Sequence, residues 1–302
     1  VFYPQGGFTI VIERIAALAA AEGAEVRTGA SVQRILVENG RAVGVEVVGA
    51  DGASERLDAE LVVSAADLHH TETRLLENAA DRTFPEAYWA KRTAGPSALL
   101  LLLGVRGELP NLEHHTLLFS EDWDENFGAI FDSPSRIPAT PSLYVCKPSG
   151  VDASVAPEGH ENLFVLVPLP ADPTIGAGGV DGAGDAEVEA LADRVIAQIA
   201  DWTGTPDLAD RIVVRRTIAP RDFQTDLNAW KGTALGPAHT LSQSAFFRAG
   251  NKSKKVDNLL YVGGSTIPGI GLPMCLISAE LIVKRLRGDT SAGPMPEPLE
   301  RA

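Results

Sequence analysis

The sequence predicts two architectures in one chain: an α/β portion split along the sequence, and an α+β portion inserted between its parts. Three observations carry this. Residues 258–287 read as strand, glycine-rich crossing and helix. Residues 24–64 read as short strands joined by tight turns. Between 69 and 225, strand-like runs alternate with proline-bearing loops around one clear helix.

Near the start, Phe8, Val11, Ile12, Ile15, Leu18 and Ala19 recur at helical spacing, and Gly23 ends that helix. Short strands are then expected at Ala24–Thr28 and Val32–Val37. Asn39-Gly40 is a type I′ hairpin signal, because both positions tolerate positive φ, and it leads to a strand at Ala42–Val48. Asp51-Gly52 turns the chain again, and a return strand is expected over Leu57–Ser64.

Strand-like runs follow at Ala98–Val105, Thr116–Phe119, Ser142–Cys146 and Leu163–Val167. The helix of this region spans about Ala186–Trp202, with Val188, Leu191, Ala192, Val195, Ile196 and Ile199 on one face. A strand at Arg211–Arg215 comes after it. The glycine run Gly176–Gly184 is preceded by proline-rich loop rather than by a strand, so it reads as a flexible surface insertion.

The last segment is the most informative. Leu259–Val262 is a short apolar run, the pattern of a strand buried on both faces. Four glycines and Pro268 within Gly263–Gly271 let the backbone approach a neighbour closely. Helical period then runs from Leu272 to Arg287, with Leu272, Cys275, Leu276, Ala279, Ile282 and Val283 on one face. Pro273 sits where a missing N–H costs nothing, and Gly288 follows as C-cap. A helix N-terminus behind a glycine crossing faces anions, although the same pattern also serves plain packing.

The stretch YVGGSTIPGIGLPMCLISAEL, residues 261–281, resembles the C-terminal signature of the phytoene desaturase family, the flavin-dependent carotenoid dehydrogenases. Tyr3-Pro4-Gln5-Gly6-Gly7, the step Val62-Val63-Ser64-Ala65-Ala66-Asp67, and Gln243-Ser244-Ala245-Phe246-Phe247-Arg248 also match family wording. The resemblance covers nearly the whole chain. It implies an amine-oxidase-like, Rossmann-like FAD-binding domain carrying an inserted substrate domain with a mixed or antiparallel sheet. The division expected is 1–68 and 226–288 for the FAD domain, 69–225 for the substrate domain, and 289–302 as a flexible tail. The family's N-terminal Gly-x-Gly-x-x-Gly unit is absent and the first residue is Val1, so the chain looks like the C-terminal portion of a longer enzyme. Strands that pair with that unit would leave an edge exposed.

By the same resemblance, FAD would meet Val32 near its adenine end and Ala65 where the chain leaves the sheet. Gly263, Gly264, Ser265, Gly271, Leu272, Pro273 and Met274 would lie by the flavin. Many bacterial members carry His between Thr and Pro of the final motif, where this chain has Ile267. Desaturation removes a hydride and a proton, and no side chain accepts a hydride, so FAD would. A carotenoid or other isoprenoid hydrocarbon would need a long apolar tunnel. Ala98–Val105, Leu163–Val167 and the terminal helix offer apolar side chains for it, if they are not simply core. Electrons would pass on to a quinone or oxygen. No residue stands out as a catalytic acid or base, so none is named.

A net charge of −14 over 302 residues argues against nucleic acid and against a polybasic membrane patch. The expected location is cytoplasmic, with peripheral contact to the inner face of the cell membrane where such a substrate resides. Cys146 and Cys275 are far apart and read as buried thiols. His69-His70 and His114-His115 are adjacent pairs whose side chains should diverge, so no metal is expected. Gly263-Gly264-Ser265-Thr266-Ile267 lacks the final glycine of a nucleophile elbow. The acidic groups at 121–125 and at Asp181 with Asp185 lack the calcium-loop pattern, and the sequon Asn251-Lys252-Ser253 reads as chance. Three readings stay open: a carotenoid desaturase portion, a related amine-oxidase-like flavoprotein acting on another apolar substrate, and a non-catalytic lipid-binding fragment.

Overall fold

A computed structural model describes residues 2–296. The chain forms two compact units. One comprises residues 2–28, 96–226 and 231–234; the other comprises 29–95, 227–230 and 235–296. The first helix therefore clusters with the central segment, and 69–95 clusters with the strand-and-glycine segments, unlike the division at 68 and 225 expected from sequence.

In the first unit, helix α1 (Thr9–Ala21) has no buried residue, and Phe8 and Leu18 of its apolar stripe are 62% and 68% exposed. The centre of the unit is a five-stranded antiparallel sheet. It is built from β5 (Ser97–Arg106), β6 (His115–Leu118), β7 (Leu143–Cys146), β8 (His160–Leu169) and β9 (Ile212–Ile218), in the order β6-β7-β8-β5-β9. Antiparallel pairing lets one face be dry and the other open. Leu99, Leu101, Leu103 and Val105 of β5, with Leu163, Val165, Val167 and Leu169 of β8, point to the dry face. There they meet Val188, Leu191, Val195, Ile196 and Ile199 of a long helix, Ala186–Thr203, the face its period predicts. Each such side chain contributes roughly 1.5–3 kcal/mol by leaving water. Gly204 ends the helix in the left-handed region, φ 65°.

The glycine run 176–184 is not a loose insertion. It lies along β9: the Gly179 N–H donates to Thr217 Oγ1 at 2.8 Å, and Thr217 N–H returns to Gly179 O at 2.9 Å. Asp181 N–H donates to Arg215 O at 2.8 Å. A Cβ on Gly178 would stand 2.1 Å from the Thr217 carbonyl oxygen. The glycines are needed because backbone meets backbone here, and the run covers an otherwise open sheet edge.

In the second unit, β1 (Ser31–Glu38), β2 (Arg41–Val48) and β3 (Ser54–Asp58) form an antiparallel meander. Asn39 and Gly40 make its first turn with φ of 51° and 77°, as the Asn-Gly pair demands. Residues 24–28 form no strand and are exposed throughout. The return strand expected over 57–64 is two strands in two sheets. After β3, Ala59 N–H closes on Val43 O, and β4 (Val62–Ser64) then pairs in parallel with β10 (Leu259–Tyr261). A polar, alternating stretch suits a half-open meander, whereas Leu61-Val62-Val63 does not. On its other side β10 is flanked by Asn251–Ser253. On β4, Val63 is 43% exposed.

The second unit ends with a helix at Leu272–Arg287, at the bounds its period predicts, capped by Gly288 at φ 69°. Its inward face differs from the expected one. Ser278 and Ile282 are buried, while Leu276 and Val283 are 50% and 38% exposed. The expected tail folds back instead, since Lys284 Nζ donates to Ser291 O and Gly293 O at 2.7 and 2.5 Å. Residues 297–302 of that tail lie outside the described residues.

Gly178→Ala tests the edge contact. Its Cβ cannot fit without moving β9, so a loss of about 2–4 kcal/mol is expected in urea unfolding, against a near-neutral Gly250→Ala control whose Cβ would meet no atom and whose backbone is not in the positive-φ region.

Candidate functional site

The parallel pair β4–β10 delivers the C-terminal ends of both strands to one corner. Beyond β4 stands Ala65; beyond β10 stands Gly263, whose φ is 107° and whose Cβ position lies 3.8 Å from the Ala65 carbonyl oxygen. The crossing then runs to Gly271, which precedes the terminal helix with φ of 113°. Nothing lies within 4 Å of the Gly271 Cβ position, and no side chain caps the helix. Leu272, Pro273 and Met274 form its first turn. An uncapped helix start beside open space presents free N–H groups and the positive end of the helix dipole.

Two buried polar side chains hold this loop. Asn251, 6% exposed, places its amide nitrogen 3.0–3.2 Å from Tyr261 O, Thr266 Oγ1, Ile267 O and Ser278 Oγ. Strand end, crossing and helix are thus tied at one atom. Ser278 Oγ in turn accepts the Gly263 N–H at 3.1 Å. This explains the inward face of the helix: a hydroxyl is needed there more than an apolar group, since a buried backbone N–H must be satisfied.

Arg248, 5% exposed, donates to Thr266 O at 3.0 Å, Gly264 O at 2.6 Å and Pro237 O at 3.3 Å. None of these partners is a carboxylate, so the guanidinium reaches the back of the loop as a buried positive charge, and burial lowers its pKa. The His239 ring packs where a Gly269 side chain would go, 3.1 Å from that Cβ position, and its pKa is lowered by burial and by Arg248.

Behind β10, Glu72 is fully buried, accepting the Phe84 N–H at 2.6 Å and the Tyr261 hydroxyl. Burial raises the pKa of both the carboxyl and the phenol. Asp67 accepts the His70 N–H at 3.1 Å and caps the short helix that takes the chain away from β4. Ala65, Gly263, Gly264 and Ser265 are brought together, and Gly271 to Met274 follow at the helix start. Val32 sits elsewhere, on β1 of the meander and 39% exposed. Sequence reasoning missed Asn251, Ser278 and Glu72. Asn251 carried only a sequon, and its burial is invisible in local pattern.

The first unit holds a separate apolar cleft. The open sheet face supplies Leu117, Tyr144, Leu166 and Pro168, and helix Trp123–Phe131 supplies a wall. Phe119, Trp123, Phe127 and Phe131 form a ladder with centroid spacings of 5.1, 6.0 and 6.3 Å, each ring about half exposed. The cavity between is about 310 Å³. Asn126, 8% exposed, pins the helix over the sheet: its amide donates to Ser120 Oγ at 2.7 Å and its oxygen accepts the Ser142 N–H at 3.0 Å. A larger cleft of about 860 Å³ mixes apolar residues such as Ile196, Ile212 and Val214 with Asp181, Asp193, Asp201 and Arg215, so charged groups interrupt its apolar wall.

The histidine pair His114-His115 does not diverge. His114 lies in a bend before β6, outside the strand alternation, and the two rings stack at 4.0 Å. Cys146 joins them. His69 instead faces Glu86, at 3.2 Å, and Trp89. Both cysteines are free and half-buried rather than buried.

No family model matches the chain. It is 43% identical over 289 residues to a carotenoid 3,4-desaturase of Haloarcula japonica, covering 96% of this chain and 55% of that protein. Against a zeta-carotene-forming phytoene desaturase of Myxococcus xanthus it is 36% identical over 294 residues, covering 95% and 52%. The chain spans about half the length of the curated relatives it matches. Among solved structures, a Pyrococcus furiosus protein superposes with a TM-score of 0.55 at 14% identity, covering 97% of this chain and 54% of that one. An oxidoreductase from Methanosarcina mazei gives 0.51 at 20% identity, covering 93% and 55%. These two likenesses concern the fold.

Two measurements check the corner. Asn251→Ala strands several buried groups and should cost about 3 kcal/mol in urea unfolding. Glu72 has a folded pKa above its ordinary value of 4.5, so its protonated form is the favoured one in the fold. Its contribution is therefore fully present below about pH 4.5 and lost as pH rises through the raised value. Relative to Glu72→Gln, the natural chain should lose stability across that rise; parallel stability curves from pH 4 to 7 would refute the assignment.

Proposed function

We propose that this chain, a homologue of the carotenoid desaturases over nearly its whole length, carries the flavin-facing corner and the hydrocarbon cleft of an FAD-dependent carotenoid desaturase. The observation that carries the reading is the uncapped terminal helix behind the glycine crossing, in a chain 43% identical to a protein of that activity. The residues present fit FAD. Gly271 leaves open space at the helix start and Gly263 brings bare backbone to the corner, whereas the Cβ position of Gly264 is filled by the Ile270 side chain. Gly263, Gly264 and Ser265, with Ala65 and the turn Gly271 to Met274, would hold the flavin end, and Val32 belongs to the adenine end by family resemblance.

When bound, FAD supplies the hydride acceptor that no side chain provides. The chain's own part is electrostatic and steric. Free N–H groups at the start of the helix and the Arg248 charge behind the loop favour a group that gains negative charge on reduction. Asn251 keeps both in place, so little reorganisation is required when that charge appears. In the first unit, the aromatic ladder and the sheet face give a largely apolar wall whose polar members are already bonded, Asn126 with Ser142 and Tyr144 with His115, which suits a conjugated or isoprenoid hydrocarbon.

Such a substrate dissolves in the bilayer, so peripheral contact with the inner membrane face of a cytoplasmic protein belongs to the same proposal. A quinone or oxygen would then take the electrons. The alternative amine-oxidase-like reading differs only in substrate.

The chain should be incubated with FAD, a soluble quinone and phytoene-loaded liposomes, and the polyenes separated by chromatography. Products absorbing at longer wavelength than phytoene support the proposal. Flavin binding without any such product favours the alternative substrate, and no flavin binding even with excess FAD leaves the likeness to the desaturases standing and marks this chain, by itself, as inactive. Trp123→Ala with Phe127→Ala should lower hydrocarbon uptake roughly tenfold while leaving flavin binding unchanged.

A further inference from the structure

We propose that His114, His115 and Cys146 form a site for a borderline divalent cation of the zinc class. One ligand atom from each residue lies within 4.8 Å of the other two. Tetrahedral zinc, with bonds of about 2.0–2.1 Å to nitrogen and about 2.3 Å to sulfur, needs ligand atoms roughly 3.3–3.6 Å apart. Closing that gap takes about 1 Å, and because the two imidazoles stack, one ring must also rotate out of the stack for both in-plane lone pairs to meet a single ion.

The backbone has already fixed the arrangement. His115 and Cys146 are directly paired across β6 and β7, so their side chains share one face. His114 is set by its backbone, whose carbonyl accepts the Lys147 N–H at 2.9 Å, and its ring lies edge-on to Tyr3 at 5.2 Å. The His115 ring is oriented by Tyr144 Oη, 2.7 Å from Nδ1, the kind of outer contact that metal-binding imidazoles use.

Two imidazoles and a thiol, with no carboxylate among them, select against magnesium and calcium. Three protein ligands leave a fourth position, and His115 is exposed, so that position is open to water or a small exchangeable donor.

Metal-free, reduced chain should be titrated with cobalt chloride. The expected result is one equivalent bound, with visible bands of a tetrahedral ion and a near-ultraviolet thiolate charge-transfer band, both bleached by zinc chloride but not by excess magnesium. Cys146→Ser should remove the charge-transfer band. His114→Ala and His115→Ala should each weaken binding roughly tenfold or more. Cys275→Ser should leave the titration unchanged. Absence of the bands in the natural chain overturns the proposal, as does a charge-transfer band that survives Cys146→Ser or vanishes with Cys275→Ser.

Discussion

The corner that defines the second unit depends on one amide. Asn251 reaches the end of β10, two points of the glycine crossing and the terminal helix, all through a nitrogen with two hydrogens to share. Glycines make the crossing possible but do not choose its path, because φ freedom by itself multiplies the conformations available. The path is chosen by buried polar groups that must be satisfied. Asn251, Ser278 and Arg248 meet that demand for Gly263, Gly264 and Thr266. A loop held from behind can leave its front bare, and the bare helix start follows from that.

The two units handle exposed edges by different means. In the five-stranded sheet, the glycine run 176–184 lies against β9, and its lack of side chains is what allows the approach. In the parallel pair, β10 is sheltered by Asn251–Ser253, whereas Val63 of β4 remains substantially exposed. Apolar side chains on α1 and on the terminal helix are similarly uncovered. Helical period records which face is apolar, not what will cover it.

The open sheet face carries two chemistries along neighbouring strands. Leu166 and Pro168 with the aromatic ladder make an apolar cleft, while His115 and Cys146 gather donor atoms two residues along β6 and β7 from Leu117 and Tyr144 of that cleft, with Tyr144 touching both. Strict alternation along β7 and β8 produces this: every second residue is committed to the core beneath the long helix, and the rest are free for function.

By itself the sequence determined the elements whose signals are local. The bounds of the terminal helix, the Asn39-Gly40 hairpin and the core face of the long central helix follow from period, turn chemistry and capping. Its wording also pointed to the carotenoid desaturases, and the relatives agree. What only the tertiary structure decided are relations between distant residues. These are the split of 57–64 between two sheets, the docking of the glycine run on β9 and the role of Asn251. The meeting of His114 and His115 with Cys146 and the sealing of Glu72 against Tyr261 belong with them. The reason is physical. Propensity and period act over a turn or two of chain, whereas burial of a polar group is settled by partners that the sequence places tens to hundreds of residues away.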